Sequence, residues 1–148
     1  MTTTSPSRIE PAADSPASEK WITNLSDVVT VVAWRDELIE STPGATLTAS
    51  DDTFVWWASS LGCIACVIAH RWSFYATSGP STWAVEDIAR TFGMGESVSR
   101  VRDSLDRLER FGITRRTGHT VAVRLWLPPL SYRQRERLPA YLAHAYQP

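Results

Sequence analysis

A chain of 148 residues with 43% hydrophobic and 21% charged side chains is long enough to bury one ordinary hydrophobic core. Its formal net charge of −1 at pH 7 excludes a polycation that coats nucleic acid indiscriminately. The charge is uneven, since residues 1–80 hold four basic and nine acidic side chains and residues 81–148 hold eleven basic and seven acidic ones, so an anionic partner is expected at the C-terminal half.

The first 19 residues are rich in Thr, Ser, Pro and Ala, which predicts a disordered N-terminal tail before a single domain of residues 20–148. No basic stretch followed by an apolar run opens the chain, so the expected location is the cytoplasm. The run DVVTVVAW is continuous and β-branched, which predicts a buried strand at Val28–Trp34 and then a short helical turn over Arg35–Glu40. The stretch STPGATLTASDD predicts a loop.

A long apolar helix is predicted next, over Thr53–Tyr75, with Ser50, Asp51 and Asp52 as suitable N-caps. The segment is apolar nearly all round, as expected of a helix buried in the middle of a small domain. Spanning a bilayer takes about 20 apolar residues, and this segment contains two serines and a glycine. We therefore expect no insertion into a membrane.

Two further helices are predicted in the C-terminal half. Ser81 or Thr82 is expected to cap a short helix over Trp83–Phe92. The second helix, Ser97–Phe111, is amphipathic, because its apolar side chains recur at spacings of three and four while its charges lie on the other face. These apolar side chains are Val98, Val101, Leu105, Leu108 and Phe111.

A hairpin and a final helix complete the predicted fold. The hairpin consists of Ile113–Arg116 and Val121–Leu127, joined by a glycine-containing turn, and the strand Val28–Trp34 is expected to extend its sheet. Ser131 with Gln134 has the capping-box pattern for a helix over residues 132–145, interrupted or kinked at Pro139. The prediction is a mainly α domain with a small β-sheet, an α+β fold.

The order of these elements, with the string VEDIARTFGMGESVSRVRDSLDRLERFGITRRTGHTVAVRLW, resembles the winged helix-turn-helix family. In this resemblance Ile88 and Ala89 pack inside the first helix of the motif, Gly93 lies at its turn, Gly112 ends the second helix, and residues 115–120 form the wing. Over a longer stretch the chain also resembles small proteins of actinobacteria and their bacteriophages, through VVAWRDELIE, DRLERFGITRRTG and RLWLPPLSYRQRERLP.

The resemblance implies a non-enzymatic protein that binds double-stranded DNA and regulates transcription, because the second helix of such a motif enters the major groove. It implies that the residues nearest the bases are Ser97, Ser99, Arg100 and Asp103. Arg100 is the first choice among them, since a guanidinium group donates to O6 and N7 of guanine together. The residues expected to contact phosphates are Arg107, Arg110, Arg115, Arg116 and His119.

A second hypothesis is a protein-docking module, since winged helices also serve that purpose. In that case the outward face of the amphipathic helix would be only a soluble surface with oppositely charged pairs four residues apart. These pairs are Glu96 with Arg100, Asp103 with Arg107, and Asp106 with Arg110. A homodimer is expected of many helix-turn-helix proteins, which read palindromic half-sites. The segments outside the motif either cover the core or pair two subunits, and the sequence leaves both open.

Cys63, Cys66 and His70 suggest a zinc or redox site, but no second pair of ligands accompanies them and no metal or cofactor is expected. Both cysteines are predicted in the middle of a helix, as buried core residues. His70 is expected at a polar boundary. Phosphate-binding loops, HExxH and GxSxG are absent from the sequence, so no catalytic residue is assigned and an enzyme is not expected.

Overall fold

The structure is a computed structural model that describes residues 20–146, so the predicted tail of residues 1–19 lies outside the described residues. In the described range the chain has an α+β fold of seven helices and six strands. The elements in chain order are β1 (Val28–Trp34), α1 (Glu37–Glu40), β2 (Thr46–Leu47), α2 (Asp52–Leu61), α3 (Cys63–Ala76), β3 (Ser81–Ala84), α4 (Val85–Thr91), α5 (Val98–Arg110), β4 (Thr114–Thr117), β5 (Thr120–Arg124), β6 (Trp126–Leu127), α6 (Tyr132–Glu136) and α7 (Ala140–Ala145).

The main sheet has four strands in the order β3-β1-β5-β4. Strand β1 is antiparallel to β3 and parallel to β5, with Thr30 opposite Thr120 and Trp34 opposite Arg124. The predicted strand Val28–Trp34 and its addition to the hairpin are therefore both confirmed. Strands β2 and β6 pair separately as a small antiparallel ladder.

The long predicted helix over Thr53–Tyr75 is wrong, because the chain breaks at Gly62 into α2 and α3. Gly62 has φ 82° and ψ 161°, a conformation that side-chain-bearing residues rarely adopt. Its N–H donates to Ala58 at the end of α2, and its own carbonyl accepts from Cys66 in the first turn of α3. Along residues 20–146, no helix is long and apolar enough to cross a membrane.

Two other predicted boundaries differ from the structure. Ser81–Ala84 forms strand β3 instead of the start of a helix, because β1 offers it an antiparallel partner, and α4 begins at Val85 without a side-chain cap. The second strand of the predicted hairpin ends at Arg124, and Trp126–Leu127 forms β6, because β2 offers these two residues another partner. The predicted interruption of the last helix at Pro139 is confirmed, since the chain forms α6 before this residue and α7 after it. The Ser131–Gln134 capping box at the start of α6 is confirmed.

The core lies between the helices and one face of the main sheet. Helix α3 runs through its middle and packs against α5, β1 and β5. The inward face of α5 is buried as predicted, through Val101, Leu105 and Leu108. Because this face is held by α3, the opposite face of α5 points away from the core.

Candidate nucleic-acid interface

The start of α5 is an exposed polar surface formed by four of the predicted site residues. Ser97 is the N-cap, and its hydroxyl accepts a hydrogen bond from the backbone N–H of Arg100 at 3.2 Å. Ser99, Arg100 and Asp103 are exposed on the first turns of the helix, and the Ser99 hydroxyl lies 3.2 Å from that of Ser97. The cap therefore fixes the backbone while the neighbouring side chains project outward.

The three ion pairs considered for α5 do not form within the described residues. Glu96 instead contacts Arg90 at 2.6 Å, and Arg90 also contacts Glu86 at 3.2 Å. Among residues 20–146, the guanidinium groups of Arg100 and Arg110 find neither an acidic partner nor a hydrogen-bond acceptor. These two exposed arginines therefore keep their donors for another molecule.

Arg107 is not on a free solvent face, which corrects its prediction. Its Nε donates to the Leu61 carbonyl at 2.8 Å and its Nη2 to the Ser60 carbonyl at 2.9 Å. Both carbonyls lie at the C-terminal end of α2, where no further helical N–H follows them because Gly62 ends the helix. Arg107 therefore caps α2, and its guanidinium is committed to the protein.

The β4–β5 hairpin turns tightly at Gly118, whose φ of 62° suits the first position of a two-residue loop. Its two arginines lie on tryptophan rings: Arg115 over Trp34 and Arg116 over Trp21, each at 4.4 Å from the ring centroid. Arg116 is half-buried and its Nη1 donates to the Gly118 carbonyl at 2.9 Å, whereas Arg115 is exposed. Of the two, Arg115 is the more accessible cation.

Trp21 joins the β4–β5 hairpin to α5, a role that sequence reasoning missed. Its Nε1 donates to the Asp106 carboxylate at 3.1 Å, and its carbonyl oxygen lies 2.8 Å from Nε2 of His119. The next residue, Ile22, accepts from Arg102 of α5 through its carbonyl at 3.0 Å. Burial raises the pKa of the Asp106 carboxyl, while the Trp21 hydrogen bond acts in the opposite direction.

An open depression of about 380 Å³ lies over the outer side of α5 and is lined by Asp103, Ser104, Asp106, Arg107 and Arg110. A second depression of about 360 Å³ shares Ser104 and Arg107 with it and reaches Cys63 at the start of α3. Both depressions are open to solvent, so neither encloses a small ligand.

The two cysteines differ, which corrects the prediction that both are buried. Cys66 is buried, and burial raises the pKa of its thiol to about 12. Cys63 is exposed, because the break at Gly62 places it at the first residue of α3. His70 stacks on Phe54 with 4.6 Å between the ring centroids. Among residues 20–146, no group of three or more His, Cys, Asp or Glu side chains could hold a metal ion.

Comparisons of the chain with protein-family models, with curated proteins and with solved structures give no match. What these residues can do therefore follows from their own geometry and charge. Arg100 and the serine hydroxyls at the start of α5 can donate to acceptors on base edges, and Arg110 and Arg115 can donate to phosphates.

Proposed function

We propose that the chain is a winged helix-turn-helix protein that binds double-stranded DNA, with α5 in the major groove and the β4–β5 hairpin as its wing. The order α3, β3, α4, α5, β4 and β5 supports this proposal, because a helix and a strand precede two helices joined by a short turn and then a hairpin. The chain departs from the simplest arrangement in one respect, since β1 lies between β3 and β5. The added strand extends the sheet and leaves the outer side of α5 open.

The observation that carries the proposal is the start of α5. There Arg100 is exposed and without an internal partner, between the exposed hydroxyl of Ser99 and the exposed carboxylate of Asp103. An arginine there can donate two parallel hydrogen bonds to guanine, and a carboxylate can accept from the amino group of cytosine. This mixed set suits recognition of a sequence better than uniform attraction to phosphate.

Phosphate contacts fall to fewer residues than the sequence suggests. Arg110 and Arg115 are exposed cations and are the main candidates, while Arg107 is held by two carbonyls. Arg116 and His119 are secondary candidates for phosphate contacts, because both also contact Trp21. With so few phosphate contacts, the dependence of affinity on salt should be modest.

Arg100→Ala tests the proposal. A preferred duplex is first selected from a randomised pool, and its affinity is then measured by fluorescence anisotropy at about 50 and 200 mM salt. The variant should lose about 1–3 kcal/mol of binding free energy at the preferred site and little on an unrelated duplex. The matched control is Arg71→Ala, because Arg71 contacts Tyr75 within α3. Lack of wild-type binding at both salt concentrations, or equal affinities of the two variants on both duplexes, would contradict the proposal.

Protein docking is the second candidate function, favoured by exposed tyrosines near the C-terminal end. Tyr132 is 72% exposed and Tyr141 is 73% exposed, and aromatic side chains of this kind are common in protein interfaces. Trp21 and Trp34 do not add to such a patch, because Arg116 and Arg115 lie over their rings. Double-stranded DNA is therefore the first candidate partner of this chain, and a protein is the second.

A further inference from the structure

Helix α6 contains the exposed Arg133, and its C-cap residue is the exposed Arg137. Arg133 and Arg137 are four residues apart, at a spacing that places side chains on the same side of a helix. We name these two residues the α6 strip. The capping box at Ser131 and the buried side chain of Leu138 fix the two ends of this segment.

The α6 strip meets α5 at the ring of Phe111. The guanidinium carbon of Arg137 lies 6.0 Å from the centroid of this ring, and that of Arg107 lies 5.5 Å from the same centroid. Arg110 directly precedes Phe111 and is exposed. Positive charge therefore continues from the C-terminal end of α5 onto α6, over distances comparable to the screening length at physiological salt.

The α6 strip is exposed, and one acidic residue, Glu136, lies near it in the sequence. Arg133 and Arg137 are both exposed, and neither forms an ion pair or a hydrogen bond with another described residue. In the sequence after Glu109, the only acidic residue is Glu136, so few carboxylates are available to pair with these arginines. Exposed arginines elsewhere do have acidic partners: Arg35 is paired with Glu40, and Arg90 with Glu86 and Glu96. Two unpaired guanidinium groups on one side of a helix present a fork geometry that matches phosphate oxygens.

We infer that the α6 strip contacts the phosphate backbone of the DNA and extends the footprint of the protein past the C-terminal end of α5. The inference rests on the proposed function, because α5 must lie on a duplex for α6 to reach the next phosphates. The strip carries no sequence information of its own, since phosphates are the same at every base pair. Its effect is on affinity, salt dependence and the length of duplex that is covered.

The test compares Arg133→Gln/Arg137→Gln with the control Arg35→Gln/Arg71→Gln, which removes the same number of charges elsewhere. Both are titrated against two duplexes with the same preferred site, one trimmed to about 12 base pairs and one of about 24, over a series of salt concentrations. For the strip variant on the longer duplex, the slope of log affinity against log salt should fall by about 2. The preferred sequence should not change, and Arg133→Lys/Arg137→Lys should restore most of the slope.

The outcomes separate this inference from the proposed function. The wild type could bind the preferred duplex while the strip variant and the control have the same salt slope on both duplex lengths. That result would overturn the phosphate contact of the α6 strip and leave the proposed DNA binding by α5 intact. If the wild type binds neither duplex, the proposed function fails and the strip fails with it. Thermal melts by circular dichroism of the strip variants should coincide with that of the wild type, because Arg133 and Arg137 are exposed.

Discussion

The start of α5 and the β4–β5 hairpin use arginine in opposite ways. At the start of α5, Arg100 projects without an internal partner, whereas in the hairpin Arg115 and Arg116 each lie on a tryptophan ring. The guanidinium group at the start of α5 is available to a partner. In the hairpin, the two guanidinium groups make cation–π contacts that hold the sheet together and attach it to the N-terminal segment. The count of arginines in a motif therefore overstates the number that can contact DNA.

Trp21→Ala should have the largest effect on the contrast between the start of α5 and the hairpin. It removes both the ring under Arg116 and the hydrogen-bond donor to Asp106. We expect a loss of about 3 kcal/mol in the free energy of unfolding, at the low end for tryptophan removal since Trp21 is half-buried. Urea denaturation measures the loss. Trp126→Ala is the control, as Trp126 is also half-buried but lies in β6, outside the β4–β5 hairpin, and pairs with β2. Equal amide-exchange rates in the hairpin of the two variants would contradict the role given to Trp21.

Arg107→Ala and Arg110→Ala should separate a structural arginine from a binding one on the same helix. Arg107→Ala should cost about 2 kcal/mol of stability, because two carbonyls at the end of α2 lose their charged donor. Arg110→Ala should leave stability within about 0.5 kcal/mol and reduce the salt slope of DNA binding by about 1. Thermal melts and anisotropy titrations measure the two effects, and the reverse pattern would show that the two roles are exchanged.

Asp106→Asn should have the smallest effect and concerns the contact between α5 and Trp21. Because burial raises the pKa of Asp106 above its usual 3.8, the native state binds more protons than the unfolded state between these two values. Wild-type stability should therefore fall as the pH rises through that window, and this component should be missing from the variant. The variant's amide oxygen can still accept from Trp21. Urea denaturation between about pH 4 and 7 measures the difference, and parallel pH profiles of the two proteins would contradict it.

The parts of the fold with a strong period were predictable. The spacing of Val101, Leu105 and Leu108 predicts α5 to within one residue at each end, because an amphipathic helix marks its own buried face. The β-branched run of β1 predicts the strand but overstates its burial, because only Val29 and Val31 are buried and Val28 is exposed. The hairpin was predictable from its glycine-containing turn and from the alternating pattern of β5.

The contacts that decide which site residues are available were not predictable. Trp21 and Asp106 are 85 residues apart, and no local pattern connects them. Arg107 has a surface-like position in the periodic pattern of α5, yet its acceptors come from α2, where an apolar sequence gave no warning of a break at Gly62. Long-range hydrogen bonds from long side chains therefore escape a prediction based on periodicity.

The break at Gly62 leaves the native protein with one thiol that a reagent can reach. Cys63 is exposed, while Cys66 is closed to solvent and its thiol pKa is raised to about 12, so a maleimide dye should attach to the first and spare the second. Cys63 borders the depression that contains Ser104 and Arg107 of α5. A fluorophore attached there would report on duplex approaching this helix, without any engineered cysteine.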